Sequence, residues 1–242
     1  MTLPTAQRLY YAIDATWPAQ SFEMKNGWML RDGAGAGKRA SAATMLDPGA
    51  NIEAAEMSQR AMDQDPLFMI RDGQDELDQA LHQRGYRVID TTLLYACPIE
   101  TLVPDHLPTG LSYTIWPPLR IMTEIWDDGG IGPARLALMH RAKGARTGIL
   151  ARTGQDAAGV AFVALDGDIA MTHAVEVKQT FRQKGVARLT MAQAAIWAQD
   201  QGAKYMALAT TRDNVAANQL YQALGMSGVG QYHYRIKPGA KE

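Results

Sequence analysis

The chain is poor in several things that would have narrowed its class at once. It has 242 residues and a single cysteine, Cys97, so no disulfide can form within it, and a reducing cytoplasmic setting is the expectation. Its five histidines, His82, His106, His140, His173 and His233, are scattered, with no pair at helical ligand spacing. No metal site is therefore expected. Basic and acidic residues number 24 and 25, a net charge of −1, which leaves no long-range attraction for nucleic acid or an anionic membrane surface. No apolar run approaches the ~20 residues of a membrane-spanning helix, and nothing near Met1 reads as an export signal. What remains is 47% hydrophobic and 20% charged, enough to bury one large core or two small ones.

Pro98, Pro104, Pro108 and Gly110 interrupt the stretch 97–112, where fixed φ and missing donors disfavour helix and central strand alike. This reading divides the chain into a module over 1–98, a linker over 99–111 and a second module over 112–242. In the first, strands are expected at 22–31 and 38–46 around a loop at 32–37. A helix at 52–62, a strand at 67–70, a helix at 75–83 stopped by Gly85 and a strand at 86–96 follow. In the second, helices at 120–126 and 133–141 precede strands at 148–152, 158–165 and 169–177. Then come a helix at 189–198, a strand at 205–209, a helix at 214–224 stopped by Gly225 and a strand at 229–236. The helix at 189–198 places Leu189, Ala192, Ala195 and Ile196 on one expected buried stripe. The pattern predicts an α/β fold with a mixed, largely antiparallel sheet flanked by helices.

Between the strand ending at 177 and the next helix lies Arg182-Gln183-Lys184-Gly185-Val186-Ala187, an R-x-x-G-x-A loop. A basic, glycine-containing loop that opens a helix presents unpaired N–H groups and the positive end of the helix dipole. Such a cradle suits an anion, most naturally a pyrophosphate. Small residues at 185 and 187 let backbone amides approach phosphate oxygens, and Arg182, Lys184 and Arg188 add cationic donors. Further on, Asn214-x-x-Ala217-x-x-x-Tyr221-x-x-x-Gly225 occupies the next strand–helix unit.

The two motifs in this order resemble the GNAT superfamily of acyl-CoA-dependent N-acyltransferases over about 111–237. The resemblance implies acetyl-CoA as cosubstrate, held by Gln183, Lys184, Gly185, Val186, Ala187 and the flanking Arg182 and Arg188. It also implies contacts from Val175, Val177, Asn214 and Ala217 along the rest of the coenzyme, and Tyr221 as the acid that protonates the departing thiolate. A phenol with a pKa near ~10 is chemically able to do so. Attack also needs a neutral amine. His173 is the first choice of base, since some members of the family place a histidine on this strand. Period-two alternation puts His173 on the face of Val175 and Val177 and turns Glu176, the second choice, away unless a bulge intervenes. A structural role for His173 or Tyr221 stays open, and Asp127-Asp128, near the expected acceptor side, reads first as a solvated helix end.

The first module carries a faint copy of the second. Ala80–Tyr86 aligns with Leu220–Met226, with Leu81 at the tyrosine position and no R-x-x-G-x-A in 46–52. It reads as a partial GNAT-like module unable to bind coenzyme A in the usual manner. Gly33-Ala34-Gly35-Ala36-Gly37-Lys38 is not a P-loop: Asp32 and Arg39 stand where glycine and Ser or Thr are required, and the loop is expected to join two strands. The expected function is transfer of a short acyl group from acetyl-CoA to a primary amine, with a small-molecule acceptor. A protein or peptide acceptor, a silent acyl-CoA sensor and a homodimer remain alternatives.

Overall fold

The computed structural model describes residues 2–239 and divides into two compact units. The first comprises the chain up to Trp17 with Leu94–Thr210 and Asn214–Val229. The second comprises Pro18–Leu93, Thr211–Asp213 and the chain from Gly230 on. Neither is a single stretch of sequence: the opening helix belongs to the first unit and the end of the last strand to the second.

In the first unit, α1 (Ala6–Thr16) is followed, after β5 (Arg87–Pro98) enters, by β6 (Ser112–Ile115), α5 (Arg120–Asp128) and α6 (Pro133–Arg141). An antiparallel meander of β7 (Arg146–Thr153), β8 (Asp156–Asp166) and β9 (Ile169–Val177) comes next. Then follow α7 (Val186–Asp200), β10 (Tyr205–Thr211), α8 (Val215–Ala223) and the start of β11 (Ser227–Ile236). The strand order is β11-β5-β10-β9-β8-β7-β6, with β9 and β10 parallel. α7 covers one face: a Cβ added at Gly159 would meet Val186 at 2.7 Å. α1 and α5 cover the other, where Gly148 lies against Met122 and Trp126.

The second unit holds a small antiparallel sheet, β1 (Ser21–Lys25), β2 (Trp28–Asp32) and β3 (Thr44–Met45), with α2 (Lys38–Ser41), α3 (Ile52–Ala61), β4 (Leu67–Arg71) and α4 (Asp75–Gln83). Its core packs Trp28, Phe68 and Tyr86 edge to face, with ring centroids 5.2 and 5.4 Å apart. Asp78 on α4 receives Arg235 through both carboxylate oxygens at 2.8 and 2.7 Å and meets His233 at 2.6 Å, tying α4 to β11. The Arg235 and His233 contacts hold its carboxyl below the usual range.

The expected helices and strands at 52–62, 67–70, 75–83, 133–141 and 169–177 are present to within a residue. Four expectations need correction. The strand at 22–31 is a hairpin, turned at Asn26 (φ 52°) and Gly27 (φ 79°), the Asn-Gly pair that two-residue turns prefer. The strand at 38–46 is the short helix α2 and the two-residue β3, so the 32–37 loop leads into a helix of one turn, and only the spacing argues against a P-loop. Helix α1 was not foreseen, although it is capped by Thr5 and buries Leu9, Tyr10, Ala12, Ile13 and Thr16 on one face. On α7 the buried face is Val186, Thr190, Met191, Ala194, Ala195 and Ala198. Only Ala195 of the expected stripe is fully inside, because apolar residues surround this helix and the sheet selects the face.

Candidate active site

Strands β9 and β10 are paired from Ile169↔Tyr205 only to Thr172↔Leu208 and part beyond that point. On the other side of β9, Phe162 of β8 stands opposite His173 and Val160 opposite Glu176, so two residues of β9, Ala174 and Val175, face one of β8, Ala161. The extra residue is a bulge at Ala174, whose φ of 51° is left-handed. Trp126 of α5, fully buried, fixes it by donating its indole N–H to the Ala174 carbonyl at 2.8 Å.

The bulge overturns the alternation expected from the sequence. Directly opposite residues share a face, so His173, Phe162, Glu176 and Val160 all look toward α1 and α5. Val177, opposite Gly159, instead packs with Ala151, Ala158 and Val186 under α7. Glu176 thus joins His173 rather than opposing it, while Val175 and Val177 leave its face. Gly129, at the end of α5, makes the room: a Cβ there would come within 2.6 Å of the Glu176 carboxyl carbon.

His173 is 3% exposed. Its Nε2 lies 2.8 Å from Thr16 Oγ1, and that hydroxyl donates its one proton to the Ala12 carbonyl at 2.6 Å. With its proton on Ala12, the hydroxyl accepts from Nε2–H, the arrangement that holds the ring as the Nε2–H tautomer. Trp17 at 4.9 Å and Phe162 at 6.3 Å flank the imidazole, and Trp116 extends this aromatic wall to Phe162 at 5.3 Å and His140 at 4.9 Å. Thr16 and Trp17 lie at the end of α1, and neither was named as a site residue from the sequence. Asp127 and Asp128 are exposed at the end of α5.

At the far end of β9 the chain passes through a 3-10 turn (Gln179–Phe181) and Gln183 (φ 60°) to Gly185, the N-cap of α7. Gly185 has φ 79°, with open space where a Cβ would stand and no side-chain cap bond, and no acidic residue lies in the first turn. Val186 is buried and Ala187 half-buried, whereas Arg182, Gln183, Lys184 and Arg188 are exposed, with the Lys184 ammonium 5.5 Å from the Phe181 ring centre. The chemistry of this donor set, free amides and three cations beside a glycine, fits a phosphate group.

Asn214 caps α8, its side chain accepting from Ala217 N–H at 3.2 Å, which gives the N-x-x-A spacing a local cause. Tyr221, one turn on, is 6% exposed, its ring 6.0 Å from that of Tyr95, and burial pushes its phenol up to about 12. Tyr95 was not singled out from sequence; its hydroxyl donates to Asn218 Oδ1 at 3.0 Å and lies 3.5 Å from Gln222 Nε2. Cys97 is buried, with a thiol that burial pushes up to about 12. Among the described residues no group of three or more His, Cys, Asp or Glu is placed to hold a metal ion. No helix of the described residues is long and apolar enough to cross a membrane.

Residues 116–226 match the family described as the Acetyltransferase (GNAT) family. The chain is 24% identical over 238 residues to the uncharacterized N-acetyltransferase YobR of Bacillus subtilis (strain 168), covering 92% of this chain and 95% of that protein. Among solved structures it is similar to a GCN5-related N-acetyltransferase from Kribbella flavida, at a TM-score of 0.75 and 17% identity over 97% of this chain and 96% of that one. It is also similar to a tandem GNAT protein from the clavulanic acid biosynthesis pathway, at a TM-score of 0.56 and 15% identity, covering 89% and 79%.

Proposed function

Given that residues 116–226 match the acetyltransferase (GNAT) family, we propose that the chain transfers an acetyl group from acetyl-CoA to a primary amine by direct attack in a ternary complex. The observation that carries this reading is the parting of β9 and β10 beyond Thr172 and Leu208, with the uncapped start of α7 following β9 in the same unit. Parted parallel strands offer unpaired backbone groups to an amide-bearing arm, and the helix start offers amides and cations to its pyrophosphate. Gln183, Lys184, Gly185, Val186, Ala187 and Arg188 would hold the phosphates. Val175, Val177, Asn214 and Ala217 would line the arm.

Tyr221 acts as the acid in this proposal. Burial raises this phenol to about 12, so it stays protonated at neutral pH and has a proton to give to the departing thiolate. His173 acts as the base, directly or through water, with Thr16 holding the ring. The acceptor is taken to be a small molecule because Trp17, Phe162 and Trp116 crowd aromatic surface around His173. A silent acyl-CoA sensor would need the helix start but not the acid, and the retained phenol at 221 favours the enzyme.

Calorimetric titration with acetyl-CoA, set against dephosphorylated CoA and ATP, tests the proposal. Micromolar 1:1 binding supports it and justifies an amine screen by thiol release; absence of binding overturns the enzyme and the sensor together.

A further inference from the structure

The Arg182 guanidinium is already engaged. Its Nε donates to the Val177 carbonyl at 3.1 Å and its Nη2 to Glu176 Oε1 at 3.2 Å, so one edge of the planar group is spent on the end of β9. The direction of that carbonyl matters. Lys178 N–H donates to Ala158 of β8 at 2.9 Å, and in a trans peptide the preceding C=O points the opposite way, so the Val177 carbonyl is aimed away from β8. Glu176 is the less exposed partner, with 20% of its side chain accessible against 60% for Arg182, and it stands in the space left by Gly129. The carboxylate is thus fixed by its surroundings, and the arginine is the member able to move.

We propose that Glu176 competes with the coenzyme's pyrophosphate for Arg182, so that binding of acyl-CoA swings the guanidinium off β9, releasing both the Val177 carbonyl and the Glu176 carboxylate. Glu176 and the Val177 carbonyl together occupy the Nε/Nη2 edge, so a phosphate that takes this edge in bidentate fashion displaces both. This rests on the acyl-CoA reading of the α7 start. Its consequence is order: the carboxylate, on the face of His173, becomes available to a cationic amine only after the coenzyme has taken the arginine. Glu176 is then a positioning residue that lowers coenzyme affinity, the reverse of what a residue beside a binding loop ordinarily does.

A double-mutant cycle read by calorimetry, with acetyl-CoA titrated to millimolar concentration, tests it on the full chain. Glu176→Gln is expected to tighten acetyl-CoA binding about two- to fivefold, the range that follows from ~0.4–1 kcal/mol for a partly exposed ion pair. Arg182→Gln is expected to weaken binding, and adding Glu176→Gln to it should change nothing further, because the competitor has lost its target. Tightening that persists without Arg182 would mean simple charge repulsion and overturn the competition. So would unchanged or weaker binding in Glu176→Gln, since the arginine would then bridge both anions. If the wild-type chain does not bind acetyl-CoA, the reading of the α7 start falls first and the competition with it.

Discussion

Two helix starts, one in each unit, show how differently the same element can be finished. Helix α3 opens at Asn51, whose side chain accepts from Ala54 N–H at 2.9 Å, and Glu53 adds negative charge to its first turn. Helix α7 opens at Gly185, with no side-chain cap, no first-turn acid, and Arg182, Lys184 and Arg188 around it. At α3 the dipole is satisfied from within and its acid repels an anion; at α7 the amides and cations are left for one. The helix ends show the opposite, a shared device. α4 and α8 close with the same backbone bonds, Gly85 N–H to His82 and Tyr86 N–H to Leu81, against Gly225 to Gln222 and Met226 to Tyr221, with φ of 81° and 82° at the glycines. Geometry is repeated where stability requires it, and chemistry is concentrated at one of the two copies.

The sharpest way to break this comparison is Gly185→Glu, which puts bulk, negative charge and an unfavourable φ into the cradle together. Loss of acetyl-CoA binding is expected, with cooperative unfolding retained; undiminished calorimetric affinity would remove the anion-binding role from α7. Next is Tyr221→Phe, expected to lower turnover about 10²-fold, the lower range for a lost general acid, with acetyl-CoA affinity nearly unchanged. Equal turnover in a thiol-release assay would assign the residue to packing. Because burial raises this phenol to about 12, its ionisation should not limit rate below that pH. The sign for stability is the reverse of a benefit. The unfolded chain loses the proton first near ~10, so the contribution present below that pH is lost as pH rises toward 12.

The glycine pair sharpens the shared device. Gly85→Ala meets open space and should cost about 1–2 kcal/mol for its left-handed backbone alone. Gly225→Ala brings its Cβ within 2.9 Å of Thr101 as well and should cost more in urea unfolding. The smallest expected effect is Asn51→Ala, about 1 kcal/mol of stability from a lost cap, with no gain of acetyl-CoA binding. An N-terminus of α3 that begins to bind acetyl-CoA once uncapped would show that the cap alone separates the two helix starts.

The two motifs were legible because each has a local cause. R-x-x-G-x-A needs a left-handed residue before a helix, and N-x-x-A is a cap bond from residue 214 to the amide of 217. The repeated helix end was legible for the same reason, through its glycine. What could not be read is whatever depends on a second strand or a distant segment. The bulge at Ala174 exists only against β8 and is held by Trp126, 48 residues away, so alternation placed Glu176 on the wrong face. Thr16 reaches His173 across 157 residues, a pairing that exists only once α1 has docked on the sheet.

By itself, then, the sequence determined where helices α3, α4 and α6 begin and end, which loop carries the free amides and cations, and where a phenol follows a cap by one turn. All of these are set by φ preferences, capping and charge within a few residues. Tertiary structure alone decided which face of β9 carries Glu176, which side of α7 is buried, which hydroxyl meets His173 and what Arg182 holds. Each depends on a partner brought close only by folding, and a hydrogen bond or a sheet register has no representation in the order of residues until that partner arrives.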